Sequence, residues 1–365
     1  MTVKTPTINE SPVPMLPAAS HRVSLLSRLL GWGEGALAVA GIDFVTPAIR
    51  LVKGEDRRTQ MGLLWRQVGV PVLAILLFLG AWSRVAATIE TSLGRIPGPA
   101  AVWQQAQALR TEHLRERGRE SAFYSRQADR NAARLAADPS AAVATLAYTG
   151  RPTYIDQIGT SLLTVFTGFL MASLIAIPLG ILSGLSPIVN AGISPFIQIF
   201  RPVSPLAWLP IVTMIVSALY VSADPLFAKS FVTSAVTVAL CSLWPTLINT
   251  THGVSSIDRD LLNVARVLRL SWTTRLLKVV IPSSLPLIFM GLRLSLGVGW
   301  MVLIAAEMLA QNPGLGKFIW DEFQNGSSDS LARIMVAVFT IGIIGFLLDR
   351  VMQSIHNMVD YGASR

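Results

Sequence analysis

Six apolar runs alternate with polar connections along this chain: residues 68–87, 158–183, 199–220, 228–248, 287–310 and 331–348. Each is close to the roughly 20 residues a helix needs to cross a hydrocarbon layer. Between the fourth and fifth runs lies a polar, basic island, residues 255–286. Ser255 with Asp258 has the form of a capping box, so a short helix is expected to open there. Leu261, Ala265 and Leu268 recur at spacings that share one helical face, while Arg259, Asn263 and Arg266 point elsewhere. Ser271 offers a second N-cap, and Pro282 is expected to end the second helix. The pattern predicts an all-α polytopic membrane protein with about six transmembrane helices. Its island is either a docking knob for a cytosolic partner or an interhelical loop whose charges are solvated.

The remaining segments divide as follows. Residues 1–20 are polar and proline-bearing, lack an apolar core for a cleaved signal, and are expected to be a disordered cytoplasmic tail. Residues 21–65 read as a helical region, either amphipathic at the membrane interface or packed on the cytoplasmic side. Residues 66–95 hold the first span, with Arg66 before it and Arg84 placed to snorkel at the far interface. Ile96-Pro97-Gly98-Pro99 breaks the helix, and residues 96–157 form a long charged helical loop expected in the periplasm, touching an outer-face partner. Residues 158–353 are the core with five spans, and residues 354–365 a cytoplasmic tail.

Within the second span Gly168, Ser173, Gly180 and Gly184 suit close helix packing in lipid. The third opens with Phe200-Arg201-Pro202-Val203-Ser204-Pro205-Leu206-Ala207-Trp208-Leu209-Pro210, whose prolines forbid a regular helix. Irregular backbone at membrane depth survives inside protein or beside water, so this stretch either lines a pathway or is a kink packed on a neighbour. Arg201, Ser204, Trp208, Thr213 and Ser217 are the candidate lining residues, and Arg201 could equally anchor at the inner interface. Glu307 and Arg293 lie inside the fifth run and each requires a partner or water. Asp224-Pro225 marks an outer turn.

The composition agrees: 52% hydrophobic and 14% charged residues are outside the range of ordinary soluble domains. The net charge of +9 is carried largely by arginines flanking the spans rather than by an aromatic-interleaved basic stripe, which argues against nucleic acid. Arg259, Arg266, Arg269, Arg275 and Lys278 place the island, and with it both termini, in the cytoplasm. Cys241 falls in an apolar run, so neither a disulfide framework nor a cysteine metal site is expected. His21, His113, His252 and His356 lie outside the spans, leaving no base for a serine nucleophile at Gly184-Leu185-Ser186.

The island resembles the EAA loop of ABC-importer permeases, Glu-Ala-Ala, three residues, Gly, nine residues, Ile-x-Leu-Pro. Here Asn263-Val264-Ala265, Arg269 and Val279-Val280-Ile281-Pro282 stand in register. Asn replaces the Glu and Arg the Gly, and since Arg takes positive φ only at a cost, the turn is expected to be built differently. Pro202 through Pro210, Ala305-Ala306-Glu307-Met308-Leu309 and Gly342-Ile343-Ile344-Gly345-Phe346-Leu347-Leu348-Asp349-Arg350 are similar to the nitrate/taurine/sulfonate branch, nearest its nitrate permease group with bicarbonate and cyanate relatives. The resemblance implies a type I importer: a second permease copy, two cytoplasmic ATPases, and a periplasmic or lipoprotein substrate-binding protein, in the bacterial inner membrane. ATP and Mg would sit on the ATPases, since no Gly-x4-Gly-Lys-Ser/Thr loop occurs in this chain. Asn263, Ala265, Arg266, Leu268, Arg269 and Pro282 would couple to the ATPase. Arg201, Ser204, Trp208, Thr213, Ser217 and Glu307 would line the path of a small oxyanion. The implied cargo is nitrate or nitrite, alternatively bicarbonate, cyanate or a sulfonate; the alternative class is an ion-coupled secondary carrier, for which Glu307 is the one candidate titratable group.

Overall fold

The computed structural model describes residues 57–363, except 92–93, 141, 144, 222–226 and 328. The expected N-terminal tail, almost all of the 21–65 helical region and the Asp224-Pro225 turn lie outside the described residues. Helix α1 (Arg57–Leu64) passes through a π-helical turn (Trp65–Gly69) into α2 (Val70–Thr88). A two-residue hairpin, β1 (Glu90–Thr91) with β2 (Gly94–Arg95), leads to the charged helix α3 (Pro99–Ala137). Then come α4 (Tyr154–Leu185), α5 (Pro187–Phe200), α6 (Pro205–Leu219), α7 (Lys229–Ser255), α8 (Arg259–Val267) and α9 (Trp272–Arg275). A second π-turn (Leu276–Val280) joins α9 to α10 (Ile281–Ala310), and α11 (Leu315–Asn325) and α12 (Ser330–Ala363) complete the chain.

Both π-turns stand two residues ahead of a proline, Pro71 and Pro282. Proline offers no N–H and its ring collides with the carbonyl one turn back. A widened turn in front of it absorbs that mismatch: the Ile281 N–H reaches back to the Leu276 carbonyl. Pro282 therefore does not end its helix as the sequence led us to expect. Residues 272–310 form one helical run, and the fifth span starts at Trp272, well before residue 287.

The order of the spans follows from close approaches of small residues. A Cβ on Gly168 would meet the Ala235 carbonyl at 2.6 Å, one on Gly180 the Thr250 side chain at 2.6 Å, and one on Gly184 the Val254 side chain at 2.5 Å. Contacts that advance together along both helices mean that α4 and α7 run parallel; their backbone contact is the close packing that the small residues predicted. In lipid, where apolar burial gives helices little drive to associate, such backbone approach supplies the dispersion energy. Against α7, helix α10 is antiparallel: Gly291 meets the Thr246 level, and Gly299 the Val238 level. At Pro245, inside α7, the ladder is interrupted, and the Thr246 N–H instead donates to Ser295 Oγ of α10 at 3.0 Å. Helix α7 is the hub, with Thr233, Ser234, Thr237, Val238, Ser242, Thr246, Leu247 and Thr250 all buried.

These directions put the ends of α4 and α7 with the 256–271 connection at one end of the bundle, the loop end. The starts of α4, α7 and α12 lie at the far end. Because α4 finishes at the loop end and α7 begins at the far end, the bent pair α5 and α6 must carry the chain across. Among the described residues five helices are long and apolar enough to cross a membrane, and the pair, bent by 104°, counts as a sixth when taken as one span. The third span is thus a helix, a short break at residues 201–204 and a second helix, not an irregular stretch through Pro210. Pro205 takes the first turn of α6, where a missing N–H costs nothing. Helix α2 stands at the periphery, touching α12 where Trp82 meets Phe339 at 5.2 Å. Helix α3 packs on the far end, through Arg117 to Asp156 at 3.0 Å and His113 to Thr153 at 2.7 Å.

Candidate coupling loop and substrate path

At the loop end the N-cap of α8 is Asp258, whose carboxylate accepts from the Asp260 N–H at 2.9 Å. Ser255 instead closes α7, its hydroxyl donating to the His252 carbonyl. The expected Ser255–Asp258 capping box is absent because α7 continues through Ser255. Ser271 does cap the next helix, accepting from the Thr274 N–H at 3.3 Å. Of the three residues assigned to one face, Ala265 is 2% exposed, while Leu261 and Leu268 lie open. Of these three only Ala265 is seated against the bundle, where Leu262 also packs on the cluster of Ile181, Val254, Ile257 and Val280. Leu261, Val264, Val267 and Leu268, with Trp272 beyond them, present apolar side chains outward, and Asn263 and Arg266 lie among them.

Helix α8 ends in a Schellman motif: the Arg269 N–H donates to the Arg266 carbonyl at 3.0 Å and the Leu270 N–H to the Ala265 carbonyl at 3.1 Å. The motif demands a left-handed residue, and Arg269 supplies it with φ 48. The turn is therefore built as glycine would build it, contrary to the expectation from the substitution. The Arg costs about 1 kcal/mol in that conformation. Arg269→Gly should stabilise the turn by that amount, read as about fivefold slower amide exchange at Leu270.

At the break of the third span, Arg201 is the C-cap of α5 and Ser204 the N-cap of α6, accepting from the Leu206 N–H at 3.3 Å. Both side chains are exposed. Phe200 lies 5.7 Å from Trp208 and 6.4 Å from Trp244, so the break is level with Trp244, within the length of α7 rather than at its end. Arg201 directly follows Phe200 at this level. Leu209, Val212 and Val216 bury the inner face of α6. At 3.6 residues per turn, Thr213 and Ser217 share one flank of that face and Trp208 falls on the other, about 140° from Thr213. The structure brings Arg201 and Ser204 together and puts Thr213 and Ser217 on one open flank. Trp208 belongs to the aromatic packing.

Glu307 lies elsewhere, in the closed core at the far end, 0% exposed. Its carboxylate accepts from Ser161 Oγ at 2.9 and 2.8 Å and from the Gly316 N–H at 3.0 Å, and Ser161 Oγ accepts from the Leu315 N–H at 2.9 Å. A Cβ on Gly314 would fall 2.1 Å from the carboxylate, and one on Gly316 2.2 Å from the Ile304 carbonyl. The Asn312-Pro313-Gly314-Leu315-Gly316 turn thus wraps the carboxylate, while Asn312 Nδ2 donates to Thr164 Oγ1. With no exposed surface in this structure, Glu307 ties α4, α10 and α11 together through these bonds. Sequence reading passed over Ser161, Thr164 and Asn312; the available signal was polar side chains set in or beside apolar runs. Arg293 has the partner its depth required: Asp349 accepts through both oxygens, at 2.6 and 2.8 Å, and Gln353 accepts a further bond.

Residues 176–361 match the family model of the binding-protein-dependent transport system inner membrane component. The chain belongs to that family. Among curated relatives, the nitrate import permease protein NrtB of Synechococcus elongatus is 37% identical over 203 residues, 56% of this chain and 69% of the relative. The bicarbonate transport system permease protein CmpB of Synechocystis sp. is 40% identical over 207 residues, 56% of this chain and 69% of the relative. In the solved MetNI methionine ABC transporter, one chain aligns at 17% identity and a TM-score of 0.47, covering 56% of this chain and 95% of that one. The permease is thus a multi-pass transport subunit of the nitrate and bicarbonate type, and its matched segment holds α5 to α12 complete or nearly so, with the exposed α8.

Proposed function

We propose that this permease is the membrane subunit of an ATP-driven importer for a small oxyanion, with nitrate (or nitrite) as the cargo and bicarbonate as the second reading. Cyanate and sulfonates are outcomes of the same test. The observation that carries the proposal is α8, a short helix between two spans that buries Ala265 and turns its apolar side chains outward. An exposed apolar patch of this kind on a charged connection implies a protein partner. In this reading two ATPase subunits receive it, ATP and Mg stay with them, and a second copy of the chain completes the pathway. The loop end then faces the cytoplasm of a bacterium with both termini, and the far end faces the periplasm and a substrate-binding protein. Each nucleotide state favours one seat for Asn263, Ala265, Arg266, Leu268 and Arg269, and Pro282 in the continuous run behind them passes that choice to the fifth span.

On the pathway side, Arg201 supplies charge, and Ser204 with the first amides of α6 supplies donors suited to an anion. Thr213 and Ser217 extend that polar flank. The test is uptake of labelled nitrate and of labelled bicarbonate by the permease reconstituted with its ATPase and its substrate-binding protein. ATP-dependent uptake of nitrate in preference to bicarbonate is expected. Uptake driven by a proton or sodium gradient without ATP would install the carrier reading. Arg201→Ala should lower nitrate uptake about tenfold, the size of one lost charge-assisted contact, with ATPase copurification unchanged. Wild-type uptake by that variant removes Arg201 from the path.

A further inference from the structure

Helix α3 lies outside the family match, yet it lines a cleft of about 720 Å³ at the far end. Its charged lining is Glu112, Arg115, Glu116, Arg119, Arg151 and Arg333, from α3, the connection before α4 and the start of α12. Four arginines face two glutamates, and the carboxylates are already engaged. Glu116 accepts from the Tyr148 hydroxyl at 2.7 Å, which raises the pKa of that phenol, and pairs with Arg119 at 3.3 Å. Glu112 reaches Arg333 at 3.9 Å, and Arg333 in turn donates to Glu322 at 3.1 Å. Among the described residues, Arg115 and Arg151 have no hydrogen-bond or ion-pair partner, and both are exposed. The cleft therefore presents two uncompensated guanidinium groups.

Guanidinium groups match carboxylates in planar, two-point geometry, and a cleft of about 720 Å³ has room for several side chains of a protein. We infer that this cleft is a docking site for an acidic segment of a protein on the far face, held by Arg115 and Arg151. The inference rests on the importer reading, in which that protein is the substrate-binding protein, and α3 is the added element that seats it.

The test uses the full permease with its ATPase in nanodiscs and a fluorescein-labelled oligoglutamate peptide as probe. Arg115→Gln with Arg151→Gln should weaken peptide binding about tenfold and flatten its salt dependence. In cells the same pair should raise the apparent KM for cargo uptake at unchanged maximal rate. Lysine at both positions should restore part of the affinity, which separates charge from folding. Unchanged peptide affinity overturns the inference, and so does weakened peptide binding with unchanged uptake. Displacement of the peptide by sodium nitrate as effectively as by unlabelled oligoglutamate also overturns it, in favour of a small-anion site. ATPase copurification is read in the same preparations; its absence strikes the importer reading and leaves the peptide result standing by itself.

Discussion

Glu307→Leu is expected to leave the permease inserted but poorly packed, with its thermal stability and steady-state level sharply reduced. Leucine fills a similar volume yet accepts nothing, so Ser161 Oγ and the Gly316 N–H, now bonded to the carboxylate, face apolar surroundings. Leaving buried donors without an acceptor costs about 1 to 3 kcal/mol each, so the pair of losses amounts to about 3 kcal/mol or more. The damage spreads because Ser161 also holds the Leu315 N–H, so the turn into α11 loosens with it. Glu307→Gln retains one acceptor and should lose about half as much. A clamp and a pathway group part company in the uptake assay. Uptake per folded molecule should stay near wild type in Glu307→Gln, because the carboxylate is 0% exposed. A Glu307→Leu protein with wild-type thermal stability, or a Glu307→Gln protein that folds fully and carries nothing, would remove the clamp.

The second large effect is expected at the loop end, where Val267→Asp with Leu268→Asp should release the ATPase without unfolding the permease. Val267 is 82% and Leu268 63% exposed, so the bundle loses little when they change. If α8 seats in an ATPase groove, each side chain buries apolar surface worth about 1.5 to 3 kcal/mol. The aspartates remove that and bring charges into the contact. The expected outcome is about a hundredfold weaker ATPase binding and loss of coupled turnover, with an unchanged unfolding profile of the isolated permease. A double variant that copurifies with the ATPase at full stoichiometry would sink the coupling role of α8 and the importer reading with it.

Much of this architecture is written in local pattern. Long apolar runs specify spans because an apolar segment in lipid must satisfy its own backbone, which only helix does within one segment. The prolines at 202 and 205 announce the break of the third span, and Ser271 announces the start of α9, since both act over a single turn. Small residues at Gly168, Gly180 and Gly184 foretold a close seam in α4, although not that its partner is α7 or that the two run parallel. The sequence also marks Asn263 through Pro282 as a connection of special chemistry.

Tertiary structure decided what depends on neighbours far along the chain. Glu307 meets Ser161, a residue 146 positions earlier, and no local rule distinguishes that clamp from a pathway carboxylate. Pro282 normally stops a helix, but here a π-turn and packing on α7 carry the helix through it. Arg269 has a side chain that disfavours positive φ by about 1 kcal/mol, and the Schellman bonds at the end of α8 overrule that preference. The free charge of Arg115 and Arg151 likewise appears only once Glu116, Glu112 and Glu322 are seen to be engaged with other groups. By itself, then, the sequence determined the all-helical class and the apolar runs that become spans, because backbone hydrogen bonding in lipid is a local demand. Which polar groups are clamped, exposed or left unpaired was decided by the fold, because pairing is a matter of distance in space.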